Sequence, residues 1–276
     1  MRLSTTILAA AAVFSATGAQ AASVEIRDAV ARVTVVPQDR SDIKVEIVHA
    51  HPDLPLKVTV SGDRTLIDGD LHRRIRDCNG MGESARIHVR GVGRVAYADM
   101  PQVVIYTPKA VDVGANGAVV GAIGRSASLD LDNSGCGNWT IADVAGEAEL
   151  HQSGAGSVKM GSAGSLDLHI SGAGSLRAVA VRDGMDARLS GAGGVTIGAF
   201  AGPLEAHVSG VGQIRVEEGR ASRIKASVSG IGGVDFGGVA QELQASISGL
   251  GNIRVKEVTG SVTKSVSGAG RIKIGD

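Results

Sequence analysis

Aromatic side chains make up 2% of this 276-residue chain: one Trp, two Tyr and three Phe. A binding groove lined by Trp and Tyr is out of reach with so few. Charge of one sign is also lacking, since 28 Lys and Arg balance 28 Asp and Glu. Nothing in that balance marks a polyanion partner, and with the missing aromatics it argues against nucleic acid. Proline is scarce at six residues, so the 40 glycines do not signal a disordered Pro/Gly segment, and they lack the collagen period. Beyond the N-terminal segment, no apolar run approaches the roughly 20 residues that a membrane-spanning helix needs. What remains is plentiful Val, Ile, Leu and Ala, enough for a core in one large domain or two small ones.

The N-terminus reads as a targeting segment. Arg2 gives a positive start, Leu3 to Ala16 is an apolar stretch, and Ala19-Gln20-Ala21 fits the A-x-A cleavage rule. A retained membrane helix is the alternative, but the run is short for a span. No Cys follows the site, which argues against a lipoprotein anchor. Residues 1–21 are therefore expected to be a signal peptide. The mature chain is expected from Ala22 without a transmembrane segment, exported to the periplasm or cell surface of a bacterium. Cys78 and Cys136 are its two cysteines. An exported pair can form a disulfide; the alternative for Cys136 is a small packed residue. Two thiols alone make no metal site.

The dominant feature is a repeat. Ser134, Ser153, Ser171, Ser190, Ser209, Ser229, Ser248 and Ser267 each open a Ser-Gly-x-Gly, at steps of 19, 18, 19, 19, 20, 19 and 19 residues. Asn116-Gly117 lies 18 residues upstream of Ser134 as a degenerate first member. A period near 20 signals a solenoid. Within a unit, Ala206 and Val208 alternate with His207, and Ile214 and Val216 with Arg215. This period of two denotes strands with one buried face. Ile170, Leu189, Val208, Val228, Ile247 and Val266 precede the serines; Val158, Leu176, Val195, Ile214, Val234, Ile253 and Ile272 follow the turns. Each series reads as a ladder of like residues stacked along an axis. The period of 3.6 expected for helical repeats is absent, as is the Asn or Cys signature of leucine-rich repeats.

Stacked corners explain the glycines. Coils about 4.8 Å apart leave no room for a side chain at the tightest points, and Gly supplies close approach or positive φ. The expectation is that the residue between the glycines points inward: Cys136, Ala155, Ala173, Ala192, Val211, Ile231, Leu250 and Ala269. The Ser hydroxyls are expected to bond the neighbouring corner. Gly146, Gly164, Gly184, Gly202 and Gly260 mark a second corner. A serine nucleophile would need a nearby His and an orienting acid, and would not appear eight times.

The repeated rungs, with Gly251-Asn252-Ile253 and the lead-in VVIYTPKAVDVGANGAV from Val103 to Val119, resemble the auto-transporter adhesin, head-GIN domain family of bacterial envelope proteins. The resemblance covers roughly residues 24–276 and is strongest from Val103 onward. It implies a right-handed parallel β-helix-like solenoid with a surface or periplasmic role, and supplies no catalytic residues.

The earlier part differs. VEIRDAVARVTVVPQ, DIKVEIVH and LKVTVSGDRTLIDGD alternate like strands, while the charged stretch Asp68 to Asp77 with Cys78-Asn79-Gly80 reads as a loop. Residues 22–110 are expected to be irregular β-rich opening coils that cap the solenoid, and 111–276 the regular repeats, joined by continuous core.

Chemistry must lie on outer faces. His151, His169 and His207 share one repeat position, interrupted by Arg188; two imidazoles make a weak metal site, and a solvated strand face is the plainer reading. Lys159, Arg177, Arg215, Arg254 and Lys273 share another, broken by Thr196 and Asp235. This basic row is the candidate ligand-facing surface, suited to anionic glycan or lipopolysaccharide; solubilising charge is its plainer reading. The Ca-binding nonapeptide pattern fails, because Ser, Gln, Gly or Asn stands where Asp is needed. Gly-x-Gly-x-x-Gly matches lack a βαβ context. Acids in the repeats look scattered, as Asp167, Glu205 and Asp235, without the clustered carboxylates of a glycan hydrolase. The expectation is a non-enzymatic adhesion or scaffold module without cofactor or metal, its partner an envelope glycan or envelope protein. A β-helical glycan-active enzyme is the alternative, to be supported by an acid-lined depression from the 60–100 region.

Overall fold

The computed structural model describes residues 22–80 and 82–275; the expected signal peptide at 1–21 lies outside the described residues. The chain is all-β, 71% strand and 4% helix, wound as a β-solenoid of about 9 turns spaced by ~19 residues. Strands Ala155–Ile170, Ala173–Leu189, Gly194–Val208, Gln213–Val228 and Gly233–Ile247 follow one another along the stack. Each pairs in parallel with the next, so that Leu176, Val195, Ile214 and Val234 lie opposite one another in turn. Period two thus becomes burial: Val208, Ile214 and Val216 are at most 1% exposed. One core runs without a break from Val24 to Val255. Near its start the ladder carries polar groups, where buried Asn133 donates from Nδ2 to Gln152 Oε1 at 2.8 Å; Ile170 and Leu189 then take the same column.

The corners correct one expectation. The residues between the glycines face solvent: Val211, Ile231 and Leu250 are 66%, 62% and 59% exposed, and Ala155, Ala173, Ala192 and Ala269 are also exposed. Strand alternation continues through the corner, so Ile170 is buried, Ser171 and Ala173 are out, and Gly174 is in. The second glycine of the motif takes the inner place, buried as Gly174 and Gly212 are, while the half-buried first glycine abuts the neighbouring coil, where a Cβ on Gly210 would lie 2.1 Å from the Gly191 carbonyl oxygen. None of the Ser-Gly-x-Gly glycines has positive φ; at the second corner Gly184 and Gly202 do, at 124° and 108°. Close approach is therefore the constraint on the motif. The corners are joined by backbone bonds, as Ser209 N–H to Leu189 O at 2.8 Å and Val211 N–H to Gly191 O at 3.1 Å. A serine hydroxyl reaches the neighbouring corner only at Ser134 and Ser209, at 3.4 and 3.5 Å, among the described bonds.

The opening region is more regular than its sequence suggests. Strand Ser23–Gln38 lies inside the stack, in parallel register with Ala110–Ile123 on one side and with Arg64–Asp68 and Gln102–Pro108 on the other. Antiparallel strands Lys44–His49 and Lys57–Ser61 cover this end, which manages an otherwise open edge. The stretch read as a loop holds a 3₁₀ turn, His72–Arg74, and a strand, Ile75–Asn79. That strand forms an antiparallel sheet with Arg86–Val89 and Gly93–Ala96. The sheet has its own small core, packed on Val30 and Ala118. A disulfide between Cys78 and Cys136, Cα atoms 6.1 Å apart, ties it to a solenoid corner. The outward place of Cys136 makes that link geometrically available.

Candidate binding face

Because the coils stack in register, every outward repeat position becomes a column. Lys159, Arg177, Thr196, Arg215, Asp235, Arg254 and Lys273 form one such column. Lys159 and Arg177 stand together at one end. Arg215, Arg254 and Lys273 line an open trough of about 690 Å³ toward the other, and Arg271 joins them there. Gly233 explains the floor: it sits between Gln213 and Asn252 in the adjacent column and offers no side chain. Asp235 is the acid among the trough's lining residues, and pairs with Arg215 at 3.6 Å. Corner residues Val211 and Ile231 form its apolar margin.

The acids are not scattered. Asp112, Asp130, Glu149, Asp167, Asp186 and Glu205 lie opposite one another in one continuous column. Its signal was present in the sequence, as an acid four residues before Ser134, Ser153, Ser171, Ser190 and Ser209. Beside it run Asp132, His151, His169, Arg188 and His207. Pairs form within three of these coils: Glu149 with His151 at 2.9 Å, Asp186 with Arg188 at 2.6 Å, and Glu205 with His207 at 2.8 Å. The His151 and His169 rings are 6.0 Å apart, and no group of three His, Cys, Asp or Glu suited to a metal occurs among the described residues. Carboxylates crowded at coil spacing resist ionisation. Burial, and then Asp130, push the Asp112 carboxyl up; burial, and then Glu149, do the same to Asp130. Glu205 goes the other way, down to about 2, because Lys225 bonds it at 2.7 Å and His207 also donates to it.

Acidic and basic columns lie ten residues apart along a coil, as Glu205 and Arg215 do, on opposite sides of the corner. Within a chain of zero net charge, columns of opposite sign thus stand on either side of the corner. A second trough, about 650 Å³, is lined by Glu25, Asp63, Asp112 and Asp132 together with Arg64. Arg64 pairs with Glu25. Asp63 is the acid it draws from the 60–100 region.

Fold and faces define the class: a β-solenoid with segregated charge columns and an exposed apolar corner row. Residues 181–275 match the family described as "Putative auto-transporter adhesin, head GIN domain", which bears out the resemblance seen in the rungs. No curated protein matches the chain. Among solved structures, the chain is similar to a crystal structure described as a "putative adhesin" from Bacteroides fragilis NCTC 9343, at 17% identity over 92% of this chain and 93% of that one, with a TM-score of 0.43. It is also similar to one described as a "Putative lipid binding protein" from Parabacteroides distasonis ATCC 8503, at 16% identity over 93% of each, with a TM-score of 0.38. No helix among the described residues is long and apolar enough to cross a membrane.

Proposed function

We propose that this chain is an exported, non-enzymatic binding module of the bacterial envelope, serving adhesion or scaffolding, with the basic column as its ligand-facing side. The observation that carries the reading is the trough, where Arg215, Arg254, Arg271 and Lys273 meet a single acid. Such a concave cationic surface suits an anionic partner, an envelope glycan or an acidic envelope protein. The signal-like start, the Cys78–Cys136 disulfide and the matched family's description support export to the periplasm or cell surface.

The test replaces Lys159, Arg177, Arg215, Arg254 and Lys273 with Gln. Wild-type protein should be retained on an immobilised anionic glycan in low salt and released as salt screens exposed charge beyond about 10 Å at 0.1 M. The variant should pass through while keeping its strand circular dichroism. Wild-type protein that shows no salt-sensitive retention on any anionic surface overturns the reading. The second reading, a glycan-active enzyme, is favoured by the acid-lined trough around Asp112; release of reducing sugar from envelope glycan by the purified chain would carry it.

A further inference from the structure

We propose that the trough and the corner beside it form one surface for an anionic lipid bilayer, headgroups against the cations and corner side chains in the acyl boundary. This rests on the reading of the basic column as ligand-facing and names its partner. The corner column is Ala155, Ala173 and Ala192, then Val211, Ile231 and Leu250, then Ala269. Large apolar side chains thus appear at this outward place on three consecutive coils and nowhere else in the alanine column. The fold does not require them. Ala173 N–H closes its corner on Gly154 O at 3.2 Å just as Val211 N–H closes on Gly191 O at 3.1 Å. Each of the three is more than half exposed, and stacking at coil spacing makes them a continuous ridge about 10 Å long. A contiguous exposed apolar row marks a contact surface.

The row coincides with the cations. Val211 and Ile231 share the trough with Arg215, Arg254, Arg271 and Lys273. With Asp235 neutralising Arg215, three cations remain for an outside anion. A hydrated glycan would stack on aromatic rings, but the only Trp is buried at 1% exposure, and a glycan gains little from Val, Ile and Leu. A bilayer supplies both missing partners, phosphate for the cations and an apolar boundary for the ridge.

The experiment is co-sedimentation of the mature chain with phosphatidylcholine vesicles, with and without phosphatidylglycerol, beside retention on the anionic glycan. Wild-type protein should sediment with the anionic vesicles and not with phosphatidylcholine alone. The variant Val211→Ser, Ile231→Ser, Leu250→Ser should lose vesicle affinity by at least about tenfold while glycan retention and circular dichroism stay unchanged. Glycan retention without vesicle binding, or a variant that binds vesicles as well as wild type, overturns the lipid assignment and leaves the basic face standing. Binding to neither overturns both.

Discussion

Gly210→Ala isolates the physics of the repeat. Gly210 does not take positive φ, so by backbone entropy alone the added methyl should stabilise the chain by about 0.4–1 kcal/mol. The stacking opposes this. Its Cβ would lie 2.1 Å from Gly191 O and 2.7 Å from Ser190 O, both backbone atoms that cannot swing aside. Reaching ordinary contact needs about 1 Å of separation between coils that hydrogen bonds hold at about 4.8 Å. Overpacking costs about 1–3 kcal/mol. The bonds Ser209 N–H to Leu189 O and Val211 N–H to Gly191 O flank the collision, and each weakened bond forfeits up to about 1 kcal/mol. Taken at their middle values (about 2 for overpacking, about 1 for the two bonds, about 0.7 for the entropy gain), the terms leave a net loss of about 2.3 kcal/mol, a fall in Tm of roughly 5–9 °C for a chain of this size. The control is Val211→Ala at the exposed neighbouring place, expected within about 0.5 kcal/mol of wild type. Thermal melting by circular dichroism measures both. If Gly210→Ala melts at or above wild type, close approach is not what the motif serves.

Two further outcomes follow from the core and the acidic column. Ile214→Asp sets a carboxylate at a fully buried rung, 0% exposed, and should cost upwards of about 4 kcal/mol; an unchanged melting temperature would mean that the ladder is not the core. Asp112 has its carboxyl pushed above 3.8 by burial and Asp130, so the folded chain holds that proton more tightly than the unfolded one. Stability then declines as pH rises from about 3.8 through the raised value. Asp112→Asn should melt higher than wild type at neutral pH, with the gain vanishing in acid below the ordinary carboxylate value. A gain that persists in acid would assign it to packing.

The interrupted order of the opening strands shows where sequence reasoning meets its limit. Alternation marked Ser23–Gln38 as strand, but its parallel partners begin about 40 and 90 residues further on, and local pattern carries no record of such pairing. The same holds for Ile75–Asn79, whose charges look like a loop until Arg86–Val89 lies beside it. The acidic column was legible at a fixed offset before the serines; reading the acids one at a time hid it.

The spacing of the serines and the period of two determined the solenoid, the coil length and the inward ladders, because both are local properties that stacking repeats without change. The basic column was legible for the same reason. The sense of the corner was not. Whether glycine or its neighbour turns inward depends on which side the next coil presses against, and only the stacked backbone decides that. Packing the glycines against Gly191 and its counterparts sends Val211, Ile231 and Leu250 into solvent beside the cations, which turns a structural motif into a surface.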